Sequence, residues 1–374
     1  MTGYYLVFFE KSFHKNKNNG VYKKVLDQID AFKNHEIDIS VLNIADFLPQ
    51  KKGFRKINLL LNKKEYTKNI PNSYYNCDFF YIRYWLLTFP FLNLLKKIAE
   101  KKILIILEIP TYPYDDEYRR TDLKSQIFLL IDKLIRKKIK RYVNAISTYS
   151  GDEQIFDIST IKISNGLNFS RIPMRINEIK NNEINLLIIS QFSFWHGYDR
   201  ILKGLEIYVR DIIINSKTIV KLHFVGDGKE YEIYKNICLE SKLDQYCFFY
   251  GLKSGKDLDA IANHCDIGVC SLGAHRKKCY LSSELKSREY VAYGLPMISS
   301  VKIDFVDDKW PYLLRVPEDD SPIDIISVVN YFNKVYKNNN SEEISRIIRS
   351  YGFARCDINV AIRPVIDYLA NSKN

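Results

Sequence analysis

Residues 282–299 read SSELKSREYVAYGLPMIS and place Glu284, Lys286, Arg288 and Glu289 within six positions, just before an apolar run. Two acids and two bases at a helix start have complementary uses. A carboxylate on the first or second turn, as Glu289 would be, can accept two hydrogen bonds from a vicinal diol such as a ribose. Lys286 and Arg288 suit a diphosphate, which the backbone N–H groups near Glu284 and Leu285 would also meet. Ser282 and Ser283 are candidate N-caps for the same helix. The run equally fits a solvated helix start, with acids favoured by the dipole and bases on the surface. Residue types alone leave both accounts open.

Three other loops carry residues able to hold a ligand. In SQFSFWHGYDRILKGL (190–205) the chain turns at Trp195, His196 and Gly197 before a helix, so a phosphate could meet N–H groups and the imidazole. A capped loop with Trp195 in the core is the plainer account. VGDGKEYE (225–232) has Gly226 and Gly228 after a strand, which fits a tight turn as well as a nucleotide wall. FYGLKS (249–254) ends a strand at Gly251, where a missing side chain would leave room for a flat base. In the first half, Glu108 ends a strand and is followed by PTYPYDDE. Pro110 and Pro113 would stiffen that loop and leave Thr111, Tyr112 and Asp115 for an acceptor. Glu108 also fits a structural acid paired with a local base.

These loops require a scaffold of strands that end where they begin. The runs 4–10, 37–44, 78–84, 103–110 and 144–150 are apolar without alternation and are separated by helical patterns. A second series follows the polar linker 175–183, with strands at 184–190, 221–228, 247–251, 266–272 and 296–300. Such runs predict parallel sheets covered on both faces, in two doubly wound domains. In these folds ligands sit beyond the C-terminal strand ends. The expected division is 1–172, 183–350 and a C-terminal helical segment, 351–374, packing back on the first domain.

The length of 374 residues fits two domains, and 46% hydrophobic with 27% charged residues fits a soluble globular chain. Seven scattered cysteines form no CxxC pair, which argues against a zinc site and for free thiols in a reducing compartment. The N-terminal MTGYYLVFFEKS lacks a basic leader before a long apolar run, and no window is apolar enough to span a bilayer. A cytoplasmic location is expected, with contact at the inner face of the membrane. The net charge of +12 lies wholly in the first 180 residues, which hold 31 Lys and Arg against 19 Asp and Glu, while the rest holds 25 of each. An anionic partner of the first domain is implied. The mixed apolar and cationic segments 89–102 and 121–143 fit either helices with solvated outer faces or a surface resting on anionic lipid. No nucleic-acid-binding motif accompanies the charge.

The ordered set FWHGYDRILKGL, LHFVGDG, FYGL, CDIGVCSLG and LKSREYVAYGLPMIS resembles the nucleotide-binding half of GT-B glycosyltransferases, retaining family 4 in particular. REYVAYGLP looks like that family's LE-AMA-x-G-x-P box, with Glu289 at its second glutamate. NNGVYKKVLDQIDAF resembles the loop and helix after the family's first strand, and ISNGLN its interdomain turn. LEIPTYPYDDE and FWHGYDR look most like the bacterial group that builds capsule and lipopolysaccharide. The resemblance implies two Rossmann-like domains facing a central cleft and metal-independent, retaining transfer from a nucleotide-diphosphate sugar; the basic first half adds a lipid-linked saccharide as the expected acceptor. It implies ribose contacts at Glu289 and diphosphate contacts near Glu284 and Leu285, with Gly20 approaching the diphosphate from the first domain; the loop residues Trp195, His196, Gly197, Gly226, Gly251, Ser283 and Lys286 complete the expected donor contacts. Glu108, His196 and Lys286 are the catalytic candidates; no metal or cofactor is implied.

The chain departs from that pattern at three points. Leu281 stands at the family's first glutamate, with Glu284 as the candidate substitute. His196 replaces the basic residue before the turn glycine, and Ser190 replaces an arginine. Lys286, Arg288 and Arg276 are the candidates for the lost positive charge. Two other accounts remain at this stage: a sugar-nucleotide epimerase, and a catalytically inactive GT-B homologue acting as an assembly subunit.

Overall fold

The computed structural model describes residues 1–9, 13, 20–47, 70–115, 123–176, 178–179, 182–211, 218–307, 309–337 and 339–372. Most of the polar loop 11–20 falls outside them. The chain forms two units: Met1–Ser164 with Ile358–Asn374, and Asn165–Asp357.

In the first unit, β1 (Thr2–Val7), β2 (Asp38–Asn43), β3 (Phe79–Arg83), β4 (Leu104–Ile109), β5 (Ala145–Thr148), β6 (Gln154–Ile155) and β7 (Ile158–Lys162) make one sheet in the order β2-β1-β3-β4-β5-β7-β6. Every pairing is parallel except β6 with β7. The absence of alternation has a direct cause. Phe79 and Tyr81 enter one core while Phe80 and Ile82 enter another on the opposite face. The inner strands β3, β4 and β5 are buried on both faces, so both sets of their side chains are mostly apolar, whereas β2 and β7 toward the edges keep exposed residues.

Helices α1 (Gly20–Asn34), α2 (Phe89–Glu100) and α3 (Leu123–Ile135) connect these strands. Thr88 caps α2, accepting from the Phe91 N–H at 3.3 Å. The helix expected over 121–143 is shorter: α3 ends at Ile135 and Arg136–Arg141 continue as a 3-10 turn. Lys137, Lys140 and Arg141 would repel one another at three- and four-residue spacing on a continuous α-helix.

The second unit builds a six-stranded parallel sheet, β10-β9-β8-β11-β13-β15, from β8 (Glu183–Phe192), β9 (Ile219–Gly228), β10 (Cys247–Phe249), β11 (Ile267–Val269), β13 (Met297–Ser299) and β15 (Leu313–Arg315). A two-stranded ladder pairs β12 (Leu281–Ser282) with β14 (Lys302–Ile303). The helices are α4 (Asp199–Asp211), α5 (Tyr231–Glu240), α6 (Lys256–His264), α7 (Leu285–Tyr293), α8 (Ile325–Tyr336) and α9 (Ser341–Cys356). Residues 351–356 complete α9. A separate helix, α10 (Ile358–Asn371), returns to the first unit, where Ile362, Val365 and Leu369 join its core and Asn34 donates to Asn359 at 3.0 Å. The segment expected from 351 onward is therefore split between the units. The two Rossmann-like sheets predicted by the apolar runs are present.

Candidate functional site

Helix α7 answers the question raised by its charge run. Lys286, Ser287 and Arg288 are buried, as are Tyr290–Tyr293; only Leu285 and Glu289, one turn apart, keep exposure, so Lys286 and Arg288 are not on a solvated face. On one side the Tyr290 ring lies where a side chain on Gly268 of β11 would be. On the other, Gly352 of α9 admits Val291. A helix enclosed this way must bury its first-turn charges, and each therefore needs a partner.

Arg288 is held entirely by structure. Its guanidinium donates to both carboxylate oxygens of Asp304 at 2.6 Å, to the carbonyls of Asn165 and Glu284, and to Ser283 and Ser287. Ser283 is drawn to Asp304 as well, at 2.8 Å. Neither Ser282 nor Ser283 caps α7: Glu284 occupies the N-cap position, and its side chain makes no capping bond. The Glu284 carboxylate instead accepts from the Ser271 N–H at 3.1 Å and the Ser271 hydroxyl at 2.7 Å. The first turn of α7, beginning at Leu285, is thus left without a side-chain cap.

Lys286 lies beside that turn. Its Nζ donates to Ser190 Oγ at 3.1 Å and Tyr198 Oη at 2.9 Å, and is 3.7 Å from Glu284 Oε2. Burial pushes the Glu284 carboxyl up, but the Lys286 charge and the bonds from Ser271 outweigh it and hold it below its ordinary range. Arg276, another candidate cation, grips Asp199 through two 2.8 Å bonds and Asp320 at 2.7 Å. Of the three cations considered, only Lys286 is held mainly by neutral hydroxyls.

The loop after β8 meets the same cluster. Phe194–His196 form a 3-10 turn that Gly197 ends with φ 66°. A side chain at Gly197 would stand 2.5 Å from the Gly273 backbone nitrogen, so two loops touch there through their main chains. The Ser193 N–H donates to His196 Nδ1 at 3.1 Å, and the Ser190 hydroxyl completes that nitrogen's shell at 3.1 Å. The neutral ring therefore carries its proton on Nε2. Burial, then the nearby Lys286 charge, push the His196 pKa down to about 3. Trp195 is 41% exposed and is not a core residue; the Lys277 ammonium stands 5.5 Å from its ring centre.

Gly226 is not in a turn. It lies within β9 with φ 133°, in register with Ser190, and a side chain there would meet the Ser190 carbonyl oxygen at 1.8 Å. Its small size lets β9 close on β8 where Ser190 reaches Lys286. Gly251 differs: the nearest atom to an added Cβ is the Tyr231 hydroxyl at 4.0 Å, so the space beside it is open. Glu289 is half-buried on the second turn of α7, and Leu281 is exposed on β12. Gly20 opens α1.

The first-unit candidates do not form a site with an exposed acid. Glu108 is fully buried and accepts from Tyr5 (2.6 Å), Gln28 (3.0 Å), Arg83 (2.8 Å) and Tyr149 (3.2 Å). Burial raises its pKa, but Arg83, Lys24 and these bonds hold it below the ordinary value. It is a structural carboxylate, with no lone pair left for an acceptor hydroxyl. Asp115 is likewise engaged by Arg136 at 2.7 Å and Lys133 at 3.1 Å, chiefly the former keeping its pKa low. Tyr112 packs against Tyr114 and Phe156, and Thr111 is exposed.

Ser271, Tyr198 and Asp304 belong to the α7 cluster and were not singled out in the sequence. The first two follow apolar strands or turns and nothing in their types marks them. Asp304 had one available signal, a buried arginine in need of an acid. Among the described residues no cluster of side chains is arranged to hold a metal ion.

No family model matches the chain, and no curated protein matches it in sequence. Several solved structures share its fold along almost their whole length. A glycosyltransferase from Rickettsia africae superposes with a TM-score of 0.66 at 12% identity, over 99% of this chain and 98% of that one. The sucrose-phosphate synthase of Thermosynechococcus elongatus gives 0.63 at 12% over 100% of both chains. HepE of Anabaena, solved in complex with UDP and glucose, gives 0.61 at 12% over 99% of this chain and 100% of that one. The two Rossmann-like units are those of a GT-B fold.

Proposed function

We propose that the protein is a glycosyltransferase that moves a sugar from a nucleotide-diphosphate donor to a hydroxyl of a lipid-linked saccharide, as in surface-polysaccharide synthesis. One observation carries this reading: the uncapped N-terminus of α7 with the buried Lys286 ammonium beside it. Helix N–H groups and a preset cation in a water-poor site stabilise a departing diphosphate without reorganising as charge develops. In the second unit the diphosphate would lie against Leu285 and Lys286. His196 would donate from Nε2 to a phosphate or sugar oxygen, Glu289 would hold the ribose hydroxyls, and the base would lie by Gly251. The bond between the anomeric carbon and the phosphate oxygen breaks with its electron pair moving to phosphate. The acceptor oxygen forms the new bond on the same face, and its proton passes to the released phosphate. Retention and independence from metal follow the family resemblance. Glu108 has no part in this scheme. The five buried free thiols favour a reducing, cytoplasmic setting.

An inactive homologue serving as an assembly subunit is the second reading. It is favoured by Leu281 at the family's first glutamate and by Glu284, the candidate replacement, being turned onto Ser271. Calorimetry and thermal shift with UDP, GDP, CDP, ADP and CMP test the nucleotide site in wild type and Glu289→Ala. One nucleotide stabilising wild type, with most of the effect lost in Glu289→Ala, is the expected result. No binding by any nucleotide would refute the transferase reading. Binding without donor hydrolysis or transfer would favour the assembly subunit.

A further inference from the structure

The outer face of α3 is apolar. Leu123, Ile127, Leu130 and Leu134 fall at i, i+4, i+7 and i+11, one stripe of a helix, and are 74%, 46%, 61% and 71% exposed. The opposite face carries Phe128, Leu129, Asp132 and Ile135 into the first unit, all buried. The helix therefore has two apolar faces, only one of which the unit covers. Helix α2 shows the ordinary arrangement: Phe91, Leu94, Leu95 and Ile98 are buried, while Lys96 and Glu100 lie outside. The α3 stripe runs roughly 16 Å at a helical rise of about 1.5 Å per residue.

Its C-terminal end leads into a concentration of positive charge. Lys137, Lys138, Lys140 and Arg141 are exposed around the single buried Ile139. Lys140 has a loose partner in Asp157 at 3.9 Å, whereas Lys137, Lys138 and Arg141 pair with no acid among the described residues. Acids on the packed side are already engaged: Asp115 by Arg136 and Lys133, and Asp132 by Tyr84, Tyr114 and the Leu87 N–H.

We infer that α3 and the following 3-10 turn dock the protein onto an anionic lipid surface, with the aliphatic stripe entering the headgroup boundary and the cations against lipid phosphates. The stripe is wholly aliphatic and offers no directional group on which a protein partner could register, whereas a bilayer requires none. Adjacent cations complement anionic lipid. They would also oppose a second copy of the chain, which would bring the same charges to the interface. The surplus of 31 basic over 19 acidic residues in the first 180 agrees in sign. This inference does not depend on sugar transfer, although a lipid-linked acceptor would be reached from such a position.

The test is co-sedimentation of the full chain with vesicles of phosphatidylcholine alone or with about one quarter phosphatidylglycerol. Binding to the anionic vesicles, weakened by salt, is expected. Leu130→Ser with Leu134→Ser should lower the partition coefficient at least about tenfold, because two aliphatic side chains no longer leave water. Both positions are exposed, so the variant should keep the wild-type melting temperature and circular dichroism. Lys137→Gln and Lys138→Gln should each lower binding roughly fivefold, on anionic vesicles only. Absence of binding, or binding untouched by both sets of substitutions, would overturn the inference. So would concentration-dependent self-association of wild type abolished by the serine pair, since the stripe would then be an interface between copies. Nucleotide titration of the same samples separates a failure here from a failure of the transferase reading.

Discussion

Replacing Lys286 by Met would remove the positive charge from the α7 cluster and retain most of its volume. At 3.7 Å the attraction to Glu284 is about 4–5 kcal/mol gross for an effective dielectric constant near 20. Returning the lysine's desolvation cost offsets part of this, and Glu284 keeps both bonds from Ser271. The net loss is expected to be about 2 kcal/mol at neutral pH, or about 4–8 °C in the transition of a unit of this size. The pH dependence is more diagnostic. In wild type the folded Glu284 pKa is depressed, so its stabilisation is present above the ordinary value of 4.5 and is lost as pH falls through the folded pKa. Without Lys286, burial dominates and the folded pKa rises above 4.5. The variant then loses stability as pH rises from 4.5 toward that higher folded value. Melting curves of both proteins between about pH 5 and 8 should therefore diverge as pH rises. Adding Glu284→Gln to the variant should close most of the gap, because no unpaired buried charge remains. Equal melting temperatures, or a gap independent of pH, would refute the assigned coupling.

Glu108→Gln should destabilise the first unit by about 2 kcal/mol, since Arg83 loses its charged partner, while leaving nucleotide affinity unchanged. Separate calorimetric transitions and a binding isotherm would check this; lost turnover with unchanged stability would restore a chemical role for the carboxylate. Gly226→Ala places a methyl 1.8 Å from the Ser190 carbonyl oxygen at φ 133° and should cost about 3 kcal/mol in urea unfolding. His196→Gln should flatten the acid limb of the stability profile. The depressed folded pKa of about 3 makes His196 stabilisation fully present above the ordinary 6.5 and progressively lost as pH falls toward 3. An unchanged limb in acid-titrated melting curves would contradict the burial assigned to the ring.

The strands were legible because a sheet covered on both faces leaves a simple mark: Phe79, Phe80, Tyr81 and Ile82 are all apolar, although alternate residues enter different cores. The short strands β6, β12, β14 and β15 leave no comparable run and were missed. The charged start of α7 was legible as a candidate site, but its burial was not inferred. Four consecutive apolar residues, Tyr290–Tyr293, already implied a helix covered on most of its circumference, and hence first-turn charges that had to be paired internally. The partners themselves could not be read. Lys286 meets Ser190 across 96 positions, Gln28 meets Glu108 across 80, and Arg288 is divided between Asn165 and Asp304. Such contacts depend on which loops a sheet brings together, and each can change by one substitution without disturbing the sheet. The same asymmetry explains how the GT-B fold is shared with structures only 12% identical in sequence. Two-sided burial constrains many residues weakly, by polarity and size. The α7 cluster constrains a few strongly, by charge: the buried Lys286 ammonium needs the Ser190 and Tyr198 hydroxyls that the neighbouring strand and loop bring to it.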